Sequence, residues 1–509
     1  MKELAFGIDF GTTNSLVSIW GSDIQAVEGS FKPRPIWDMT SGAEHPHPSV
    51  VWYRIDGEPI VGLVARQNMA SHENAMGHRF VRSVKRMLGA DREVETPGEQ
   101  REAAWEAASR IFQHLSTSVS EYSGLKRALQ LKEAVVTIPV HFNGRQRRDI
   151  RRAMERAGIR LQTFIHEPFA ALISHFYDQN TKLDALKGQR TIVFDWGGGT
   201  LDVCLVEVSK DGTHIYELAH DGIEDRAGDE FDRNLMRHIK NKFIEANDLP
   251  VDFEPKGNVP DRFWAATEDA KIELSQDDRV RVSVPSFHRI DERMLDLSHT
   301  VERSAFESII QTELEAAESC IQRLLNKGRL TPGLVDHVLL VGGTSNIPAV
   351  RHMVERIFGA KVSVASEPEA AISRGAAIVA AEGWQPYNVR DIGVKLSDDS
   401  FFTILPADTP LIPQESKGFT FLCTDPRTGS ADFFFHARHV AGDRAFIPLN
   451  EHLSVPVDSS IRKFNALDRI ISRFVITEDA TLRCVAQSSS AGKEREIEIT
   501  DIGIGLKLK

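Results

Sequence analysis

Cysteine is scarce in this 509-residue chain: Cys204, Cys320, Cys423 and Cys484 are all there is. None forms a CxxC pair and no histidine stands beside them at a zinc-ligand spacing, so a disulfide framework or thiolate zinc site is excluded. Reduced, buried thiols are expected, as in a cytosolic compartment. No stretch of about 18 uninterrupted apolar residues occurs, which argues against a membrane-spanning helix. Ahead of LAFGIDF there is no apolar core with a small-residue cleavage site, so no secretory signal is expected. Positive charge is not in excess: 61 Lys and Arg face 73 Asp and Glu, a formal net charge of −12, the opposite of a phosphate-backbone binder. The richest basic cluster, 145–156 with Arg147, Arg148, Arg151 and Arg152, falls in QRRDIRRAMERAG and reads as a solvated helix face. Neither GxxxxGK[ST] nor a GxGxxG opening a helix is present, which removes the P-loop and Rossmann nucleotide sites. A cytoplasmic protein without nucleic-acid or membrane partners is the expectation.

What is present is a composition ordinary for a globular chain, 41% hydrophobic and 26% charged. At roughly 150 residues per domain the length predicts two to four units. The strongest pattern is an internal repeat. LAFGIDFGTTNSLVSIW and RTIVFDWGGGTLDVCLVEV each run apolar strand, aspartate, glycine–threonine turn, apolar strand. β-Branched runs around tight glycine turns predict two hairpins, each followed by mixed α and β material, and hence a duplicated α/β domain. A third glycine turn follows VDHVLLVGG, and helices are expected at 100–121, 231–246, 261–274 and 302–327. From about residue 385 helical periodicity gives way to short alternating runs. The end, with Ile502, Ile504, Leu506 and Leu508 at period two, predicts a half-buried strand.

These turns suit a nucleotide. Backbone N–H groups can approach phosphate oxygens only where no Cβ intervenes, which Gly11, Gly197, Gly198 and Gly199 provide. Thr12, Thr13 and Thr200 add hydroxyl donors. Asp9 and Asp195, each just before its turn, can hold a hydrated Mg²⁺ between them. One such turn would be ordinary hairpin chemistry; two copies plus Gly342-Gly343 point to a clamp.

At these residues the chain resembles the seventy-kilodalton heat-shock (DnaK-type) chaperones. GIDFGTTNS, FDWGGGTLD and LLVGGTSNIPAVR are similar to that family's phosphate and adenosine motifs, and HPSVVWY, SVKRMLG, VVTIPVHFNGRQR, IHEPFAALISH, AGDEFDRNL, EDAKIELS and EPEAAISRGAA follow in its order. The resemblance implies an actin-like (ribonuclease H-like) ATPase domain in two lobes over 1–383, a linker at 384–391, and an all-β sandwich, peptide-binding-like domain over 392–509. It implies Gly11, Thr12, Thr13 and Asn14 as one phosphate loop and Gly197, Gly198, Gly199 and Thr200 as the other. Asp9 and Asp195 would hold the magnesium water shell, and Glu167, Asp195, Thr200 and Asp202 would serve catalysis around the attacking water. Gly228, Glu268, Lys271, Ser275, Gly342, Gly343, Thr344, Ser345, Asn346 and Glu369 would contact the nucleotide, while Pro139, Arg147 and Glu167 resemble an interdomain relay. The implied cofactors are ATP or ADP and Mg²⁺, with K⁺ as a further candidate ion.

Departures accompany the matches. Arg66, in VGLVARQ, is expected at the position of the family's catalytic lysine, which leaves slow hydrolysis to ADP and phosphate or ATP held without turnover as the two outcomes. Asn346 replaces an adenine-stacking arginine, Trp196 a small aliphatic residue and His166 an asparagine. The chain is short between Gly89 and Gly98, where a small lobe is trimmed. GWQPYNVRD (383–391) stands for a leucine-rich linker, with Trp384 and Val389 as substitutes, and no helical lid is expected after the β domain. Phe401 and Phe402 read equally as sandwich core or groove lining, and one ring of Phe433-Phe434-Phe435 must face outward. Two functions remain: an ATP-regulated chaperone switch binding extended protein segments, with a J-domain protein and a nucleotide exchange factor as partners, or an ATP-binding adaptor docking one dedicated partner. A metabolite kinase is disfavoured by the β domain.

Overall fold

The structure, a computed structural model, describes residues 4–22, 32–42, 44–72, 79–122, 128–179, 183–257, 259–290, 292–414, 417–439, 446–459, 467–500 and 502–508. Two sheets share one strand order. In the first, Arg160–His166, Glu133–Ile138, Ala5–Phe10, Asn14–Trp20 and Arg34–Ile36 lie side by side; in the second, Val362–Val364, His337–Val341, Arg190–Trp196, Thr200–Val208 and His214–Glu224 do. In both, two parallel strands precede the aspartate-bearing strand and two antiparallel ones follow it. The duplication expected from the repeated hairpins is visible as this shared order. The inner parallel strands Glu133–Ile138 and His337–Val341 are buried on both faces, which is why they read as unbroken apolar runs rather than alternating ones.

The two lobes meet at a pair of buried helices, Glu167–Asp178 and Ala371–Glu382. Close approach there depends on Gly375: a Cβ would lie 1.8 Å from the Ala170 carbonyl oxygen. Alanine-rich packing around it lets backbone meet backbone, and the helices act as the joint between lobes.

Beyond the lobes lie two four-stranded antiparallel sheets, Phe401–Leu405, Arg390–Lys395, Ser430–His439, Phe446–Pro456 and Lys417–Cys423, Asp468–Ile476, Leu482–Ser488, Glu494–Ile499. Asp468–Ile476 alternates buried and exposed residues almost throughout, so one face of its sheet packs inward. Phe433 and Phe435 are buried whereas Phe434 is 56% exposed and stacks on His452. Phe402 packs edge-on to Phe419 and Phe421 inside the sandwich, and Phe401 stacks on Phe446 beneath Arg438.

Segments 384–391 and 502–508 behave differently from a linker and a sandwich strand. Gln385–Asn388 pairs with Ile504–Lys507, which pairs with His214 and Ile215, so both extend the second lobe's sheet. Ile502, Ile504, Leu506 and Leu508 are all buried, as are Trp384 and Tyr387. Period-two spacing fits this placement because both lobe and sandwich supply apolar surface.

The basic helix corrects the expectation of a solvated face. Gly144–Arg156 starts at a reciprocal cap, in which the Asn143 side chain accepts from the Arg145 and Gln146 amides and Gln146 accepts from the Asn143 amide. Its arginines then grip the sandwich. Buried Arg147 donates to the carbonyls of Asp479 (2.7 Å), Ala480 (3.2 Å) and Thr500 (3.1 Å), and to Phe142 (2.8 Å) on its own side. Arg148 and Arg151 pair with Asp479, and Arg148 also with Glu498. Only the tertiary arrangement brings those acids, more than 300 residues away in sequence, to the helix. All four cysteines are free and buried. Among the described residues no helix is long and apolar enough to cross a membrane.

Candidate functional site

Between the lobes lies a cleft of about 460 Å³, and the hairpin turns form opposite walls. Asp9, Gly11, Thr12, Thr13 and Asn14 come from the first hairpin; Asp195, Gly197, Gly198, Gly199, Thr200 and Asp202 from the second; Gly342, Gly343 and Glu369 from the third turn and its neighbour. The turns face each other at contact distance: a Cβ on Gly198 would lie 2.4 Å from the Thr13 hydroxyl and one on Gly199 3.1 Å from Thr12 Cγ2. Thr13 Oγ1 is itself buried and has no hydrogen-bond partner among the described residues. A buried hydroxyl left so costs about 1–3 kcal/mol, which a ligand oxygen in the cleft would recover.

Beneath the turns is a concentration of charge. Lys85 Nζ lies 2.7 Å from Glu167 Oε1, both groups buried, and its ammonium also stands over the Phe142 ring. Glu167 opens a helix with Pro168 next, where the free N–H groups favour a carboxylate. Burial would lower the Lys85 ammonium, but the Glu167 and Asp9 charges outweigh it and hold the lysine above its usual range. Burial lifts Asp9 to about 7, reinforced by Glu167 and opposed by Lys85. Asp195 is driven well above the carboxylate range by burial first, then by Glu167, Asp202 and Asp9. Asp202 differs. Burial would raise it, yet the hydrogen bond and charge of His141 at 3.5 Å, with the Thr200 hydroxyl at 2.9 Å, hold it low.

The carboxyl groups of Asp9, Glu167, Asp195 and Asp202 thus confront Lys85 and His141 in one cleft. Burial, with more acids than the two cations balance, drives Asp9 and Asp195 toward their neutral forms. An all-oxygen acidic set with room for water is the donor chemistry that Mg²⁺ selects, so the residues fit that ion.

A model of the Hsp70 protein family matches residues 92–503. The chain belongs to the Hsp70 family. Among its relatives, the Chaperone protein DnaK of Thermotoga neapolitana is 29% identical over 515 residues, covering 98% of this chain and 80% of that protein. The Chaperone protein DnaK of Thermosipho melanesiensis is 28% identical over 513 residues with the same coverage.

Several expected residues stand outside the lining of this Hsp70-family cleft: Arg66, Gly228, Glu268, Lys271, Ser275, Thr344, Ser345 and Asn346. Arg66 does not line the cleft; its guanidinium lies 2.6 Å from Glu268, so helix Leu63–His72 of the first lobe is tied to helix Val259–Glu273 of the second. Arginine suits that paired carboxylate contact. The ammonium at the phosphate turns is Lys85, in the short turn Val84–Met87 of SVKRMLG. Its signal in sequence is faint: Val84, Met87 and Leu88 are apolar, but Arg86 follows Lys85 directly, so only the fold shows which of the two cations is buried and requires a partner. Arg86 was also missed: it reaches across to the Gly199 carbonyl and to Asp225, 2.6 Å away.

The adenosine-side residues are divided. Thr344 donates to the Gly197 carbonyl (2.9 Å), and the Gly228 amide donates to the same oxygen (3.1 Å), so both bind the third turn and the following helix to the second phosphate turn. Buried Ser345 donates to the Val341 carbonyl at 2.6 Å and so faces away from the cleft. Lys271 holds Asp232 (2.7 Å) and the Gly228 carbonyl (3.2 Å), Ser275 lies one turn on, and Asn346 is exposed. Trp196 is core beneath the turn, edge-on to Phe194 and Phe231, and His166 is buried beside Glu167.

Proposed function

We propose that this chain is an ATP-regulated chaperone-type switch: an actin-like ATPase of two lobes over 1–383, its second sheet extended by Gln385–Asn388 and Ile504–Lys507, with a peptide-binding β sandwich formed within 390–499. The facing glycine turns with the orphaned Thr13 hydroxyl carry this reading, and membership of the Hsp70 family supports it. Gly11 to Asn14 and Gly197 to Thr200 bind the phosphates by backbone and hydroxyl donors. Asp9 and Asp195 would hold Mg²⁺, which supplies charge neutralisation at the phosphates when bound. Lys85, fixed by Glu167, supplies a positive charge at the phosphate turns, while Asp202 and Thr200 orient water beside it. Arg66–Glu268 and Arg86–Gly199 close the lobes over the nucleotide.

Nucleotide state reaches the sandwich through Phe142. Its ring lies against Lys85 in the cleft wall and its carbonyl accepts from Arg147, whose other bonds hold the sandwich. Extended protein segments are the proposed ligands of the sandwich, with a J-domain protein and a nucleotide exchange factor as regulators, in the cytoplasm.

Single-turnover ATP hydrolysis tests the assignment. Lys85→Ala is expected to slow the step by about 10²–10³-fold, the range for losing one transition-state donor. Arg66→Lys, which keeps charge opposite Glu268, is expected to change it by less than about threefold. Equal losses in the two variants, or hydrolysis unaffected in Lys85→Ala, would overturn it.

A further inference from the structure

Away from the cleft carboxylates, residues from three separate segments converge beneath the first phosphate turn. His47 Nδ1 lies 3.0 Å from His114 Nε2, and each of these nitrogens lies 3.8 Å from Asp38 Oδ2. A point equidistant from three atoms so spaced is about 2.1 Å from each, within the roughly 2.0–2.2 Å bonds of zinc to imidazole and carboxylate. We propose that Asp38, His47 and His114 bind a zinc-class divalent cation. The inference stands independently of the nucleotide reading.

The surroundings orient the donors as a metal centre requires. His47 Nε2 lies 2.9 Å from the Ile36 carbonyl, so that nitrogen carries the proton and donates, leaving the Nδ1 lone pair turned toward His114 and Asp38. Metal-bound histidines ordinarily give their second N–H to such a group. Asp38 Oδ1 accepts from the Thr40 amide and hydroxyl, and Oδ2 accepts from the Leu63 amide at 3.1 Å, which fixes the carboxylate plane. Gly62 has φ +85°, and a Cβ there would lie 2.5 Å from His114 Nε2 and 3.0 Å from Asp38 Oδ2. Glycine therefore leaves that side of the donor atoms free of a side-chain carbon. Two imidazoles with one carboxylate favour zinc-like ions over Mg²⁺ or Ca²⁺, which prefer all-oxygen shells.

The site acts as a strut. His47 lies opposite Ser15 on the strand that leaves the first phosphate turn. Two residues on, Ser49 donates its hydroxyl to the Gly11 carbonyl (2.9 Å) and its amide to the Thr13 carbonyl (2.8 Å). A cation joining His47 to Asp38 and to helix Ala104–Glu121 fixes the segment that supports Gly11 to Thr13.

The test uses the full chain, stripped with chelator and titrated with Co²⁺ and then Zn²⁺. The expected result is one Co²⁺ per chain with the intense visible bands of a four-coordinate ion, displaced by Zn²⁺. Groups that only hydrogen-bond a metal ligand are worth about 10–100-fold in metal affinity, so His114→Gln, at the most exposed ligand, is expected to weaken binding by about 100-fold or more. Asp38→Asn is expected to weaken it similarly while retaining the amide contacts, and circular dichroism confirms that each variant folds. Should a variant not fold, the ¹¹³Cd resonance of the unaltered chain distinguishes a nitrogen–oxygen donor set from oxygen alone. Absence of a stoichiometric Co²⁺ band, an unchanged band in either folded variant, or an oxygen-only cadmium shift would overturn the site and leave a hydrogen-bonded Asp–His–His cluster.

Discussion

Replacing Arg147 by alanine removes a buried guanidinium that bridges the ATPase lobes and the sandwich. Its bonds to the carbonyls of Asp479, Ala480 and Thr500 cross the junction, and the one to Phe142 anchors it. Hydrogen bonds from charged donors contribute about 1.5–3 kcal/mol each, and truncation also leaves buried carbonyls unpartnered. Water can reach the half-buried Thr500 side, and Arg148 and Arg151 still hold Asp479, so a net loss of about 3–5 kcal/mol from docking is expected. At about 1.4 kcal/mol per tenfold, that shifts the docked-to-undocked ratio by roughly 10² to a few times 10³. Protease cleavage within 384–391 reports undocking, because Gln385–Asn388 is held by pairing with Ile504–Lys507 and by backbone bonds to 408–411, all from the chain that follows it. Cleavage of Arg147→Ala should accelerate by about that ratio when opening is fast and the unaltered chain is mostly docked. Arg147→Lys should lie between, since one ammonium cannot reproduce the planar fork. Arg145→Ala, exposed on the same helix, should leave cleavage unchanged. If Arg147→Ala is cleaved no faster than Arg145→Ala, the arginine is not what joins the two units.

Two further perturbations follow from packing and charge. Burial holds His166 down to about 4, against about 6.5 unfolded, so the folded chain resists protonation and stability falls as pH drops from 6.5 toward 4. His166→Asn should remove about 1.6 kcal/mol of the stability difference between pH 6.5 and pH 5, measured by urea unfolding; an unchanged slope refutes the assignment. Gly375→Ala places a methyl against the Ala170 carbonyl and should cost about 2–4 kcal/mol in thermal unfolding, since backbone on both sides must move; a shift below about 1 kcal/mol would show that the interlobe helices separate freely.

Local chemistry made much of the site legible. Asp9 and Asp195 precede glycine turns because the strand must end where phosphate can approach backbone, and that pattern needs no long-range knowledge. The same holds for the alternating sandwich strands and for Phe434, the one ring of its triplet forced outward. Arg66 shows the limit: a lysine-like position inferred from segment similarity says nothing of which carboxylate lies across the cleft. Glu268 decides that, and Lys85 emerges as the cleft cation because Glu167 and Asp9 meet it in space. The basic helix failed for the same reason, its partners lying on a sandwich loop.

Strand period, turn glycines and apolar runs are written locally, so the two hairpins, the duplicated α/β pattern and the β texture after 385 follow from the order of residues alone. Tertiary structure alone decided that Ile504–Lys507 and Gln385–Asn388 join the second lobe's sheet, that Arg147 links the two units, and that Asp38, His47 and His114 share one point. Those outcomes depend on which charges and sheet edges meet after folding, a relation between distant segments that no local pattern carries.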